Sequence, residues 1–226
     1  METETSVREQ LETILSRYAD ARAGEAFGEE HELWGVFKSL RQALSAHPAV
    51  RAHPTLRVAW SAGFGAWAKV PWVALLDTRE TTNIREGVFC ALLFRQDMSG
   101  VYLALSQGAA EASRQVGREI ARTVLRARAA DLRAVCDGLP ERGFLLDDRI
   151  DLHADSGPVP DPSFVVAYKL YEAGSVPPDA ILARDLEAAL AAYGRCVEVK
   201  ARTAAGSAAE TVEAERWDRL HRKAGR

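Results

Sequence analysis

No apolar run in this chain approaches the ~18 residues that a membrane-spanning helix needs, so no membrane segment is expected. The opening METETSVREQ is acidic and polar and lacks the apolar core of an export signal. Cysteine is scarce. Three stand at positions 90, 136 and 196 without CxxC or Cys/His spacing, which indicates neither a zinc site nor a disulfide framework and suits a reduced, cytoplasmic setting. The five histidines, at 31, 47, 53, 153 and 221, form no HxH, HExxH or HNH-like arrangement, and no serine sits in a GxSxG elbow. Gly63-Phe64-Gly65 lacks the third glycine and the Lys-Ser/Thr of a phosphate-binding loop, which excludes an ATPase. No cofactor, metal or small-molecule substrate is expected.

What is present is enough apolar content, 47% of 226 residues, for one good core, so a single domain with extra helices is expected. The net charge of −3 hides an uneven distribution. Residues 1 to 40 carry 4 Lys and Arg against 9 Asp and Glu, residues 41 to 128 carry 12 against 6, and residues 129 to 226 carry 13 against 17. A basic middle between acidic flanks is able to steer a polyanion to one face.

Apolar spacing predicts two N-terminal helices joined around Gly24 to Gly28. Leu11, Ile14, Leu15 and Tyr18 mark the first; Leu33, Trp34, Phe37, Leu40 and Leu44 mark the second, which ends at His47-Pro48. From Leu56 the period changes to that of strands: Leu56, Val58 and Trp60 alternate, and Val70 to Leu76, Val88 to Phe94 and Val101 to Leu105 follow as antiparallel neighbours. Asp97 to Gly100 reads as a hairpin turn, and Pro71 suits an edge, a bulge or a strand start. Residues 109 to 137 read as one helix with Val116, Ile120, Val124 and Leu132 as its apolar stripe and Arg114, Arg118, Arg122 and Arg126 on another face. Such a row of like charges repels unless compensated, and a phosphate backbone is one compensator. An irregular acidic segment through Pro162, a strand from Phe164 to Leu170 and a closing helix from about Asp179 to Val197 complete an α+β fold, its small antiparallel sheet flanked by N-terminal, middle and C-terminal helices.

The candidate chemistry is concentrated between Arg57 and Gly108, where loops combine glycine, tryptophan and arginine. Elsewhere, Glu198-Val199-Lys200 with Asp185 upstream has the residue types of a nuclease triplet but ends a helix instead of occupying a strand. The acidic group Asp147, Asp148, Asp151 and Asp155 matches no calcium-loop spacing and reads as a solvated loop.

The runs GFGAWAKVPWVALLD (63 to 77) and EGVFCALLFRQDMSGVYLALSQG (86 to 108) resemble the N-terminal DNA-binding domain of McrB, from modified-cytosine-dependent restriction, and its MrcB-like relatives. Residues 167 to 193 resemble that family's last strand and closing helix. The resemblance implies a domain over residues 1–200, followed by a linker and short basic tail at 201–226. It implies a non-catalytic module that binds duplex DNA and flips a modified cytosine into an aromatic pocket, with the nuclease or NTPase effector elsewhere. By position, Phe64 and Trp72 are then the aromatic walls and Leu93 part of the lining. Phe64 is a departure, since the best-known member has tyrosine there. Gly63 and Gly65 would allow close approach to a nucleotide, and Lys69, Arg79, Asn83, Arg85, Arg114 and Arg118 would contact the nucleic acid. Two other readings are a DNA-acting enzyme, nuclease or base-modifying, and a protein-binding scaffold of the same fold.

Overall fold

A computed structural model describes residues 6–155 and 164–224, with backbone only for 204–224. Helix α1 (Val7–Gly24) is capped by Ser6, whose hydroxyl accepts from the Glu9 amide, and it buries the predicted Leu11, Ile14, Leu15 and Tyr18. Helix α2 (Glu32–Ala46) buries Leu33, Phe37, Leu40 and Leu44. Its cap is the His31 ring, whose Nδ1 accepts from the Leu33 amide, and His47 caps the short α3 (Pro48–Arg51) in the same way. Two of the scattered histidines are therefore helix caps.

Five strands form one antiparallel sheet in chain order: β1 (Leu56–Gly63), β2 (Trp67–Asp77), β3 (Val88–Phe94), β4 (Gly100–Gln107) and β5 (Val165–Glu172). Pro71 falls in the irregular stretch between the Ser61–Trp72 and Gly63–Trp67 pairs, and β2 pairs with β3 only from Trp72 onward. A missing N–H is tolerated there. Every residue of β3 and β4 is buried, because both faces of the sheet are covered. On one face Val73, Leu75, Cys90, Leu92, Phe94, Leu103 and Leu105 join the residues of α1, α2 and the last helix in the main core. On the other, Ala74, Leu76, Phe89, Ala91, Leu93, Tyr102 and Tyr168 pack against Ile150 and Leu152 of a strap, residues 144–155.

The middle helix differs from expectation. It is two helices, α4 (Ala110–Val116) and α5 (Arg118–Arg133), broken at Gly117, whose φ of 78° and ψ of 162° suit glycine almost alone. The apolar stripe is corrected too. Ala112, Ala121, Leu125, Ala129 and Leu132 face inward, while Val116, Ile120 and Val124 are exposed. Counting only bulky residues overlooked the alanines, which let α5 approach β5 closely. The closing helix α6 (Asp179–Ala224) starts where expected but continues without interruption past Val197.

Hydrogen bonds also hold the strap. Leu145 bridges Tyr168, the Gln96 amide donates to the Leu152 carbonyl (2.9 Å), and Tyr102 and Arg95 both donate to the Asp151 carbonyl. The acidic residues serve this packing: Asp147 accepts from the Tyr168 hydroxyl (2.6 Å) and Asp155 from the Gln96 side-chain Nε2 (2.8 Å). Among the described residues no group of His, Cys, Asp and Glu is placed to hold a metal ion. Residues 156–163, including the expected end of the irregular segment at Pro162, lie outside the described residues.

Candidate nucleic-acid interface

The β1–β2 hairpin ends in a finger whose tip is Phe64. Phe64 is 101% exposed. Gly63 beneath it has φ 140°, and a Cβ there would lie 1.9 Å from the Ala66 carbonyl oxygen, so only glycine closes this turn. The finger's base is braced from the helices. The Tyr18 hydroxyl of α1 shares its proton between the carbonyls of Ala62 (2.7 Å) on β1 and Ala68 (3.0 Å) on β2. Arg22 donates to the Lys69 carbonyl (3.1 Å), and the Trp67 indole donates to the Glu25 carbonyl (3.1 Å) while packing edge-on against Tyr18, Phe27 and His31. Burial raises the Tyr18 pKa well above the ordinary phenol value, so the brace stays protonated.

Trp72 and Leu93 do come together. They are directly paired across β2 and β3, and the register extends the row through Tyr102 on β4 to Leu170 on β5. All lie on the strap side of the sheet, where Leu93 is buried as a floor and Trp72 is half-buried at its rim. Arg95 closes the far side, its guanidinium 5.2 Å from the centre of the Tyr102 ring and donating to that hydroxyl (2.7 Å). Tyr102 meets Tyr168 edge-on at 5.6 Å. Arg95, Tyr102 and Tyr168 escaped sequence reasoning; only the strand register, which fixes which residues stand beside Trp72, reveals them.

The remaining expected contacts lie at the opposite end of the sheet. β1 runs toward the finger and β2 away from it, so the β2–β3 loop, 78–87, emerges beyond the far ends of the strands. Seven residues of β3 at ~3.3 Å each put about 20 Å between the two ends. Gly63, Phe64, Gly65, Lys69, Trp72 and Leu93 belong to the finger half; Arg79, Asn83, Arg85, Arg114 and Arg118 belong to the loop end.

That far end is a braced platform. Arg79 is clasped by the buried Asp77 carboxylate (Nη2 to Oδ2 2.6 Å, Nε to Oδ1 3.0 Å), and this bond holds the Asp77 pKa below the usual carboxylate range. The Asn83 side-chain oxygen accepts from the Arg85 amide (2.9 Å), which shapes the loop. Arg114 pairs with Glu86 (2.5 Å), whereas Arg85 and Arg118 are exposed. The break at Gly117 separates Arg114 from the other three arginines, so the expected ladder is not continuous. A second tyrosine braces this end: the Tyr193 hydroxyl of α6 accepts from the Asp77 amide (2.8 Å) and donates to the Val88 carbonyl (2.9 Å), bridging the two strand ends that flank the loop.

The nuclease-type residues do not converge: Asp185 lies apart from the Glu198–Lys200 triplet. Asp185 is buried against Lys169 (2.8 Å) and the Tyr171 hydroxyl (2.9 Å), and Lys200 is paired with Glu80. Asp185 and Glu198 are 13 residues apart on one helix, about 20 Å at ~1.5 Å per residue, so they cannot share a metal. A cavity of about 870 Å³ between α1, α2, α6 and the opposite face of the sheet contains none of the expected site residues. Among the described residues no helix is long and apolar enough to cross a membrane.

No curated protein and no solved structure matches the chain. The family described as MrcB-like, N-terminal domain matches residues 13–198, from α1 through the packed part of α6. With an α+β fold and this match over most of its length, the chain belongs to the MrcB-like N-terminal domain family, DNA-binding modules of restriction systems.

Proposed function

We propose that this domain reads a modified cytosine in duplex DNA by turning the base out of the stack and holding it against the half-buried Trp72, while cleavage or translocation is carried out by an effector on another domain or chain. The observation that carries the reading is the row Trp72–Leu93–Tyr102: an aromatic edge left partly open beside an apolar floor, bounded by the cationic Arg95. Extruding a base costs a few kcal/mol of stacking and pairing. A flat apolar surface such as Trp72 recovers part of that cost, and a methyl group on the cytosine ring adds apolar area to bury. The separation of Asp185 from the Glu198–Lys200 triplet supports a non-catalytic role over a nuclease.

The decisive experiment compares binding to one duplex carrying cytosine, 5-methylcytosine, 5-hydroxymethylcytosine or N6-methyladenine at the same position, for the wild type and Trp72→Ala. A preference for a modified cytosine is expected, and Trp72→Ala should weaken that binding by the ~1–3 kcal/mol typical of base stacking on an aromatic side chain. Equal affinity for all four duplexes removes the modified-base reading.

A further inference from the structure

We infer that Cys136 and Cys196 form a dithiol centre that a hydroperoxide converts to a disulfide, stapling the turn after α5 to α6; this goes beyond the DNA-reading function and does not depend on it. Three observations lead there. The first is placement. Cys136 stands in the turn after α5 and Cys196 on α6, and both are buried in the main core. Arg195, next to Cys196, donates through Nε to the Val135 carbonyl (2.7 Å) and through Nη2 to the Asp137 carbonyl (3.0 Å). Its guanidinium thus brackets Cys136 and fixes the two cysteines side by side. The thiols are hydrogen-bonded to each other, a pairing that their wide separation in sequence hides.

The second is a difference between the two sulfurs. In the resting dithiol the Cys136 thiol donates to the Leu132 carbonyl (3.3 Å). The hydrogen bond from Cys196, helped by the Arg195 and Arg133 guanidiniums, holds the Cys136 pKa below the ordinary thiol value against the opposing effect of burial. Giving that bond to Cys136, together with burial, pushes the Cys196 pKa up, so Cys196 keeps its proton. Cys136 is therefore the attacking sulfur and Cys196 the resolving one. The third cysteine, Cys90, is wholly buried, its pKa pushed up to about 12 by burial, and is inert.

The third is access. Cys136 lies among the exposed Ala134, Asp137 and Gly138, so a local opening of this turn brings its sulfur to solvent while α6 stays packed. The Cys136 thiolate attacks one peroxide oxygen, the O–O bond breaks, and a sulfenic acid and hydroxide form. The Cys196 sulfur then displaces the sulfenic hydroxyl as the S–S bond forms. Two thiols are oxidised and one peroxide is reduced to two waters. The bridge fixes α6 between Tyr193 and Lys200, the residues that tie it to the far loop.

The test treats the reduced full chain with hydrogen peroxide. Two of the three thiols should disappear from a titration in denaturant, and peptide mass spectrometry should find Cys136 joined to Cys196. The melting temperature should rise by roughly 10 °C and return with dithiothreitol. Cys196→Ala should leave Cys136 as a sulfenic acid that dimedone traps, and Cys136→Ala should give no adduct. Three free thiols after peroxide, a bridge that includes Cys90, or a bridged protein that melts no higher overturns the proposal; all three are read on the wild type, whether or not either variant folds. None of these readouts involves DNA, so their failure leaves the base-reading function standing.

Discussion

At the scale of single residues, two buried phenols do comparable work at opposite ends of the sheet. Tyr18 ties β1 to β2 beneath the finger, and Tyr193 ties β2 to β3 beneath the far loop. Each uses a hydroxyl, so phenylalanine in its place preserves the packing and removes only the bond. For Tyr18→Phe, the buried Ala62 carbonyl loses its donor, and the expected loss of stability is about 1–3 kcal/mol in urea unfolding, together with weaker binding to DNA as the finger loosens. A variant as stable as the wild type would show that the brace is dispensable. Tyr18 was legible in the sequence as a member of the helical apolar stripe, but its hydroxyl was not, because its partners are 44 and 50 residues away. The same limit applies to Arg79, which looked available for phosphate until the fold brought out its clasp on Asp77.

Among the elements, the four-strand run from Leu56 to Gln107 was readable almost to its ends, since alternation and turn residues are local signals. The middle helix was less so. Its inward face is built on alanines, which carry little periodic signal, and its break rests on a backbone angle at Gly117. The strap was the least legible element, since polar bonds to distant partners fix it. One of these bonds makes it sensitive to acid. His153 Nδ1 lies 2.7 Å from Asp97 Oδ2, and although burial pushes the Asp97 carboxyl up, the His153 and Ser99 bonds outweigh it and hold the pKa at about 2. An unfolded aspartate titrates near ~3.9. Because the folded value is the lower one, the stabilising contribution is complete above about pH 4 and disappears as the pH falls through about 2. Asp97→Asn should therefore show a shallower fall in melting temperature between those two pH values than the wild type; parallel curves would show that the pair contributes nothing to holding the strap.

For the whole molecule, the basic middle of the sequence is spread over both ends of the sheet, with exposed Arg85 and Arg118 near the far loop. If the far end also touches the phosphate backbone, removing either arginine should weaken binding to every duplex alike and reduce the slope of log affinity against log salt by roughly one. An unchanged slope would confine the interface to the finger half. Charge counting found the basic segment but could not divide it, because only the direction of each strand says which end a loop occupies. The strand order has a further consequence, for synthesis. β1 to β4 are neighbours joined by short connections, so their pairings close small loops and form early, whereas β5 must wait until residues 108–164 have been made. Until then β4, whose eight residues are all buried in the finished protein, is a bare apolar edge on the nascent chain. Such an edge is a template for pairing with a neighbouring chain, which makes β4 the place where misassembly during translation would begin.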